Sequence, residues 1–223
     1  MMRVMLFYPL LFGVIGRYLL PLIAKTSNFN ITANADFIVT ALTLMSPVVF
    51  GALIGFSILD DRDDHIIDSI KVTPLTFNQF MSFRLIVVWL FTFVACIFTI
   101  WFSGIGNILW KDILIISFLA SLGAPMTGLL INIFAQNKIE GFAIMKLLGT
   151  IVLLPVIALF FTDAKELFFA IFPAFWPAKM ISSAIWGDAK VFLNYNLYFW
   201  IGLAYVIVAN ILIYIKFIRK VAE

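Results

Sequence analysis

Six blocks of apolar residues, each close to the length of one bilayer crossing, constrain this chain more than any other feature. They run over residues 4–23, 37–59, 85–102, 113–134, 142–161 and 191–215. A helix of about 20 such residues spans the hydrocarbon core of a membrane, which is about 30 Å thick. Composition agrees: of the 223 residues, 64% are hydrophobic and 12% charged, where soluble domains hold about 45–50% and about 25%. A soluble globule, a disordered chain and a free nucleic-acid binder are excluded. The pattern predicts an all-α polytopic membrane protein with six transmembrane helices, forming one membrane domain over residues 1–223. Met1-Met2-Arg3 ahead of the first block mimics a signal peptide, but the block is too long and has no Ala-x-Ala cleavage site. A retained first helix is expected. Cys96, the single cysteine, lies in an apolar block, which leaves no disulfide framework and no thiolate cluster for a metal.

An even number of crossings places both termini on one side. With the termini inside, nine basic residues are cytoplasmic (Arg3, Arg62, Lys71, Arg84, Lys138, Lys146, Lys216, Arg219 and Lys220). Six are then outside (Arg17, Lys25, Lys111, Lys165, Lys179 and Lys190). The run from Lys216 to Lys220 stands at a helix end, where the positive-inside rule acts most strongly. Trp101, Trp110, Trp176 and Trp186 then fall in or beside the outer segments, as an interfacial aromatic belt requires. Both termini are expected in the cytoplasm.

Two connections are long. The inner one, residues 60–84, opens Asp60-Asp61-Arg62-Asp63-Asp64-His65-Ile66-Ile67-Asp68-Ser69-Ile70-Lys71-Val72-Thr73-Pro74. Helical spacing puts Ile66, Ile67 and Ile70 on one stripe and Asp60, Asp64 and Asp68 on another. Acids in the first turn and Lys71 near the last suit a helix dipole, and Pro74 ends the segment. This predicts a short amphipathic helix on the cytoplasmic face that offers a mixed apolar and acidic surface to a soluble partner. The plainer alternative is a solvated loop whose charges keep it out of lipid. The run lacks Asp-x-Asp-x-Asp-Gly spacing, and no metal is assigned to it. The outer long connection, residues 162–190, holds Pro173, Trp176, Pro177 and Trp186.

Within the spans, Thr43, Pro47, Gly51 and Gly55 recur every four residues, as do Ala120, Ala124, Gly128 and Asn132. Small residues at this interval let helices approach closely in lipid. They serve packing within the chain or contact with a second membrane chain. Arg17 and Asn132 are candidates for a pathway, although Arg17 in the outer half of its span can also snorkel to headgroups. No span is expected to bury a carboxylate, which removes the usual ion ligand of a proton- or sodium-coupled carrier. A channel needs more polar residues than Ser121, Thr127 and Asn132 supply. The only histidine, His65, excludes a paired-histidine metalloprotease, and there is no Gly-x-x-x-x-Gly-Lys-Ser/Thr loop to hold ATP. No catalytic residue is assigned, and energy is expected from another protein.

The acidic run after the second span, the short helix, and Thr73-Pro74-Leu75 before the third span resemble the permeases of the ABC-2 type exporter family. So does Phe172-Pro173-Ala174-Phe175-Trp176-Pro177 between the fifth span and the sixth. The resemblance implies a coupling helix that docks on an ATP-binding cassette ATPase subunit through Asp60, Arg62, Asp64, His65, Ile67, Ile70, Lys71, Thr73 and Pro74. It implies an outer hydrophobic helical hairpin around Pro173, Trp176, Pro177 and Trp186, and a second permease, the same chain or a related one. Spans one, two and five would border the route, with one and five at the permease contact. ATP and Mg would sit on the ATPase subunit and no cofactor on this chain, in the cell membrane; the Ile-, Phe- and Asn-rich composition suggests a bacterium. The cargo would be amphipathic or lipidic: a drug, an antimicrobial peptide or a lipid. Family members usually open with an elbow helix, where this sequence has Met1-Met2-Arg3. A reading from another class is a non-transporting scaffold or sensor that recruits a soluble partner through its acidic inner loop.

Overall fold

Each of the six apolar blocks overlaps a membrane-length helix in the computed structural model, which describes residues 7–26, 30–64, 66, 74 and 76–222. The spans are α1 (Tyr8–Thr26), α2 (Ala35–Asp63), α3 (Phe77–Ser103), α4 (Trp110–Phe134) and α5 (Lys138–Phe160), then α7 (Tyr195–Ala222) after a shorter hairpin helix α6 (Phe175–Trp186). A 3-10 helix, Ala164–Ile171, joins α5 to α6.

Caps and prolines set the helix ends more than hydropathy does. Thr76 accepts from the Gln79 backbone while the Gln79 side chain accepts from the Thr76 N–H. This capping box starts α3 at Phe77, two turns ahead of the apolar block at Leu85. Gly104, at φ 63°, closes it in the left-handed conformation that favours glycine. Asn137 caps α5 at Glu140, and Pro155 begins the 3-10 turns Leu154–Phe160 that end it. α4 breaks at Leu122, whose carbonyl accepts from Asn210 of α7. A π-turn, Ile15–Leu19, interrupts α1 at Arg17.

The long inner connection is therefore shorter than the sequence predicted, since Asp60–Asp63 complete α2 and residues 77–84 open α3. A second correction concerns charge. Asp36 and Asp61 are carboxylates buried in α2, where none was expected.

α2 is the central helix and packs against α1, α3, α4, α5 and α6. Its closest approach is to α4. A Cβ on Gly51 would lie 2.5 Å from the Thr127 Cβ and 2.7 Å from the Ala124 carbonyl, and one on Gly128 would lie 3.0 Å from the Gly51 carbonyl. Both small-residue faces thus meet each other within the chain. With no hydrophobic effect between helices in lipid, such contact supplies the attraction. One core at the hairpin end joins Val39, Ile116, Leu119, Phe175, Met180 and Tyr198. Another, at the terminal end, joins Ile54, Ile58, Met81, Leu129 and Phe217. α1, α5 and α7 turn large apolar side chains outward, including Leu22, Leu147 and Leu212, as lipid-facing helices do.

Candidate functional site

Three places along α2 hold the residues with chemistry. At the hairpin end, Glu166 of the 3-10 helix and Lys179 of α6 form an ion pair at 2.5 Å, both fully buried. Lys179 also donates to the Phe161 carbonyl at 2.7 Å, and Tyr198 of α7 donates to Glu166 while accepting from the Leu193 N–H. Beside them Ser182 donates to Asp36 at 3.2 Å. Burial holds the Lys179 ammonium below its ordinary pKa, against the upward pull of Glu166 and Asp36. With this set of partners the cluster ties hairpin, α2 and α7 together. The sequence reading missed it, because Glu166 and Lys179 meet only when the connection folds back on itself.

Midway, an apolar cavity of about 100 Å³ lies where α2, α4, α5 and the hairpin converge. Pro47, Leu148, Ile151, Pro173 and Pro177 are among its walls. Of the predicted hairpin residues, Pro173 and Pro177 thus share this cavity. Trp176 does not sit at an interface as the predicted aromatic belt had it. It is buried, 4% exposed, against Gly202 of α7. Trp101 and Trp110 are exposed, and Trp186 carries the Lys190 ammonium over its ring at 3.9 Å.

At the terminal end the acidic residues occupy the last turn of α2, not the first turn of a following helix. Their relation to the dipole is therefore reversed, since the C-terminal end is already negative. Compensation comes from two cations. Arg84 of α3 pairs with Asp61 and donates to the Ser57 hydroxyl at 2.5 Å, and Lys138 of α5 pairs with Asp60 at 2.5 Å. Arg62 lies in the same turn, the Asp64 N–H bonds back to the Asp60 carbonyl, and Pro74 is an exposed bend. His65, Ile67, Ile70, Lys71 and Thr73 lie outside the described residues.

Of the two pathway candidates, Arg17 is exposed and donates to the Phe102 carbonyl at 3.3 Å, with its guanidinium 5.3 Å from that ring. Asn132 is fully buried between α2 and α4, donating to the Gly55 carbonyl at 2.9 Å and the Gly128 carbonyl at 3.0 Å. It lies in the contact that the glycine faces make.

Over residues 1–214 the sequence matches a family described as fluoroquinolones export permease protein Rv2686c-like. Two relatives carry the same activity in their names: the fluoroquinolones export permease proteins MT2760, from Mycobacterium tuberculosis strain CDC 1551 / Oshkosh, and Rv2686c, from strain ATCC 25618 / H37Rv. Each is 34% identical to this chain over 161 residues, which cover 71% of the chain and 64% of the relative. The match thus spans less than two thirds of their length. No solved structure matches the chain. Six apolar helices together with this match make it a multi-pass membrane protein, and the chain belongs to the Rv2686c-like family of fluoroquinolones export permease proteins.

Proposed function

We propose that this chain is the membrane-spanning subunit of an ATP-driven exporter of the ABC-2 type, moving a planar amphipathic drug such as a fluoroquinolone out of the cell. Two permeases pair, each with an ATP-binding cassette subunit on its cytoplasmic side, and both termini lie on that side. ATP and Mg belong to the ATPase subunit. The observation that carries this reading is the position of α2. The connection to α3 leaves from its foot, and its shaft packs against α1, α3, α4, α5 and α6. A displacement of the foot of α2 therefore reaches the cavity walls that α4, α5 and the hairpin supply.

That cavity, at about 100 Å³, is smaller than the roughly 300–1,000 Å³ of drug-sized sites. Cargo enters only when α2 moves away from α5 or when the second permease completes the walls. The ATPase can drive this only by binding one arrangement of α2 better than the other. The apolar lining suits a flat, weakly polar molecule better than a sugar or an ion.

Tagging the C-terminus and identifying what co-purifies in mild detergent tests the pairing. An ATP-binding cassette protein recovered with the wild type, and lost when Ile67→Asp and Ile70→Asp are combined, is the expected result. Recovery unchanged by that double substitution would remove the coupling role from the connection. Absence of any ATPase would favour the scaffold reading.

A further inference from the structure

The last turn of α2 is bracketed by two ion pairs that differ in exposure and in the further partners of the cation. Adjacent residues on a helix point about 100° apart, which sends Asp61 toward α3 and Asp60 toward α5. The Asp61 and Arg84 side chains are 13% and 19% exposed, and Arg84 has two further partners in the Ser57 hydroxyl and the Phe80 ring, 5.0 Å from its centroid. Asp60 and Lys138 are 40% and 55% exposed.

We propose that Asp61 and Arg84 are a positioning pair that makes α2 and α3 one lever, while Asp60–Lys138 is a contact released as the lever moves past α5. Separating the sheltered pair strands two charges that the surrounding helices largely keep from water, an unfavourable change. Separating the exposed pair exchanges protein contacts for water at little cost. A force on the chain between α2 and α3 therefore opens the α2–α5 seam and leaves the α2–α3 seam closed. That weaker seam is built from aromatic and glycine contacts: the Phe56 and Phe142 rings at 4.6 Å, and Gly141 against Phe56 and Leu59. Farther along it lies the central cavity, walled by Pro47 and Val48 of α2 and by Leu148 and Ile151 of α5. The sheltered pair thus directs motion to the seam that opens on the cavity. This inference rests on the export reading above.

The test compares accumulation of a fluoroquinolone in cells carrying the exporter with wild-type or variant chain, alongside chain abundance in the membrane. Asp61→Asn and Arg84→Gln are expected to insert normally and lower export roughly tenfold, with the double substitution no worse than either single one. The exchange Asp61→Arg with Arg84→Asp is expected to recover most of the loss, and Lys138→Gln to stay within about twofold of wild type. Wild-type export by the single variants would overturn the proposal. So would a charge exchange no better than its parts, or a Lys138→Gln as damaging as Arg84→Gln. If the neutral variants fail to insert, Arg84→Lys, which keeps the charge opposite Asp61 and gives up only the forked reach to Ser57, is expected to insert and export, and a loss of export as large as the neutral variants' would overturn the proposal. A wild-type chain that leaves drug accumulation unchanged would contradict the export reading. The pair is then decided by thermal unfolding in detergent of wild type, Asp61→Asn, Arg84→Gln and their double variant: non-additive shifts are expected, and additive ones overturn it.

Discussion

Lys179 shows how a residue can be plain in a sequence and opaque in its role. As a lysine in an outer connection it reads as a solvated charge, yet it is fully buried with Glu166, the Phe161 carbonyl and Tyr198 around it. No periodicity links residues 166, 179 and 198, because three different elements bring them together. Removing one member of such a pair typically costs about 3–5 kcal/mol, since the other charge stays buried and unpaired. Lys179→Met is expected to lower the yield of folded, monodisperse chain sharply. Lys179→Met combined with Glu166→Gln is expected to recover part of the loss. Fluorescence-detected size-exclusion profiles of the three chains measure it. Equal damage in the single and double variants would mean that the site needs the hydrogen bonds of Lys179 more than charge balance. Gly51, Gly55, Ala124 and Gly128 are the opposite case. A four-residue interval is a property of one helix face, and the face was legible before its partner was known.

At the scale of elements, the spans were legible because hydropathy alone marks a lipid-crossing helix, whereas their ends follow local chemistry. The Thr76–Gln79 box and the α2 terminus moved the predicted boundaries by up to two turns. The second case also reversed the electrostatics of the acidic run, from a favourable first turn to a last turn that requires Arg84 and Lys138. The hairpin was legible as an element but not as core. Phe175, Trp176, Met180 and Ile181 are buried, and deleting residues 172–186 would remove packing from α2, α4 and α7 as well as any outer gate. Such a deletion cannot separate an exporter from a scaffold. The α2–α4 contact permits a sharper expectation. A Cβ at Gly128 would meet the Ile54 Cγ2 at 2.4 Å and the Gly51 carbonyl at 3.0 Å. Overpacking of this kind costs about 1–3 kcal/mol or more. Gly128→Val is therefore expected to lower the thermal midpoint in detergent by several degrees, and Gly149→Val, where the nearest atom is 3.7 Å away, to leave it nearly unchanged. Similar midpoints for the two would contradict the close α2–α4 approach.

For the whole molecule, α2 runs between a buried ionic cluster at the hairpin end and a charged foot at the terminal end, with an apolar cavity between them. α2 thus joins its charged foot to the hairpin through its contacts with α4, α5 and α6. The relatives are named as export permeases, and export and its drive by ATP are the two parts of the function proposed here for this chain. The measurement that tests the two together is uptake of a fluoroquinolone into inverted membrane vesicles from cells expressing the exporter, followed by the drug's own fluorescence. The expected result is uptake that requires ATP and Mg, persists when an uncoupler abolishes the proton gradient, and is lost with Ile67→Asp and Ile70→Asp. Uptake that ignores ATP and collapses with the uncoupler would contradict the account and make the chain a gradient-driven carrier.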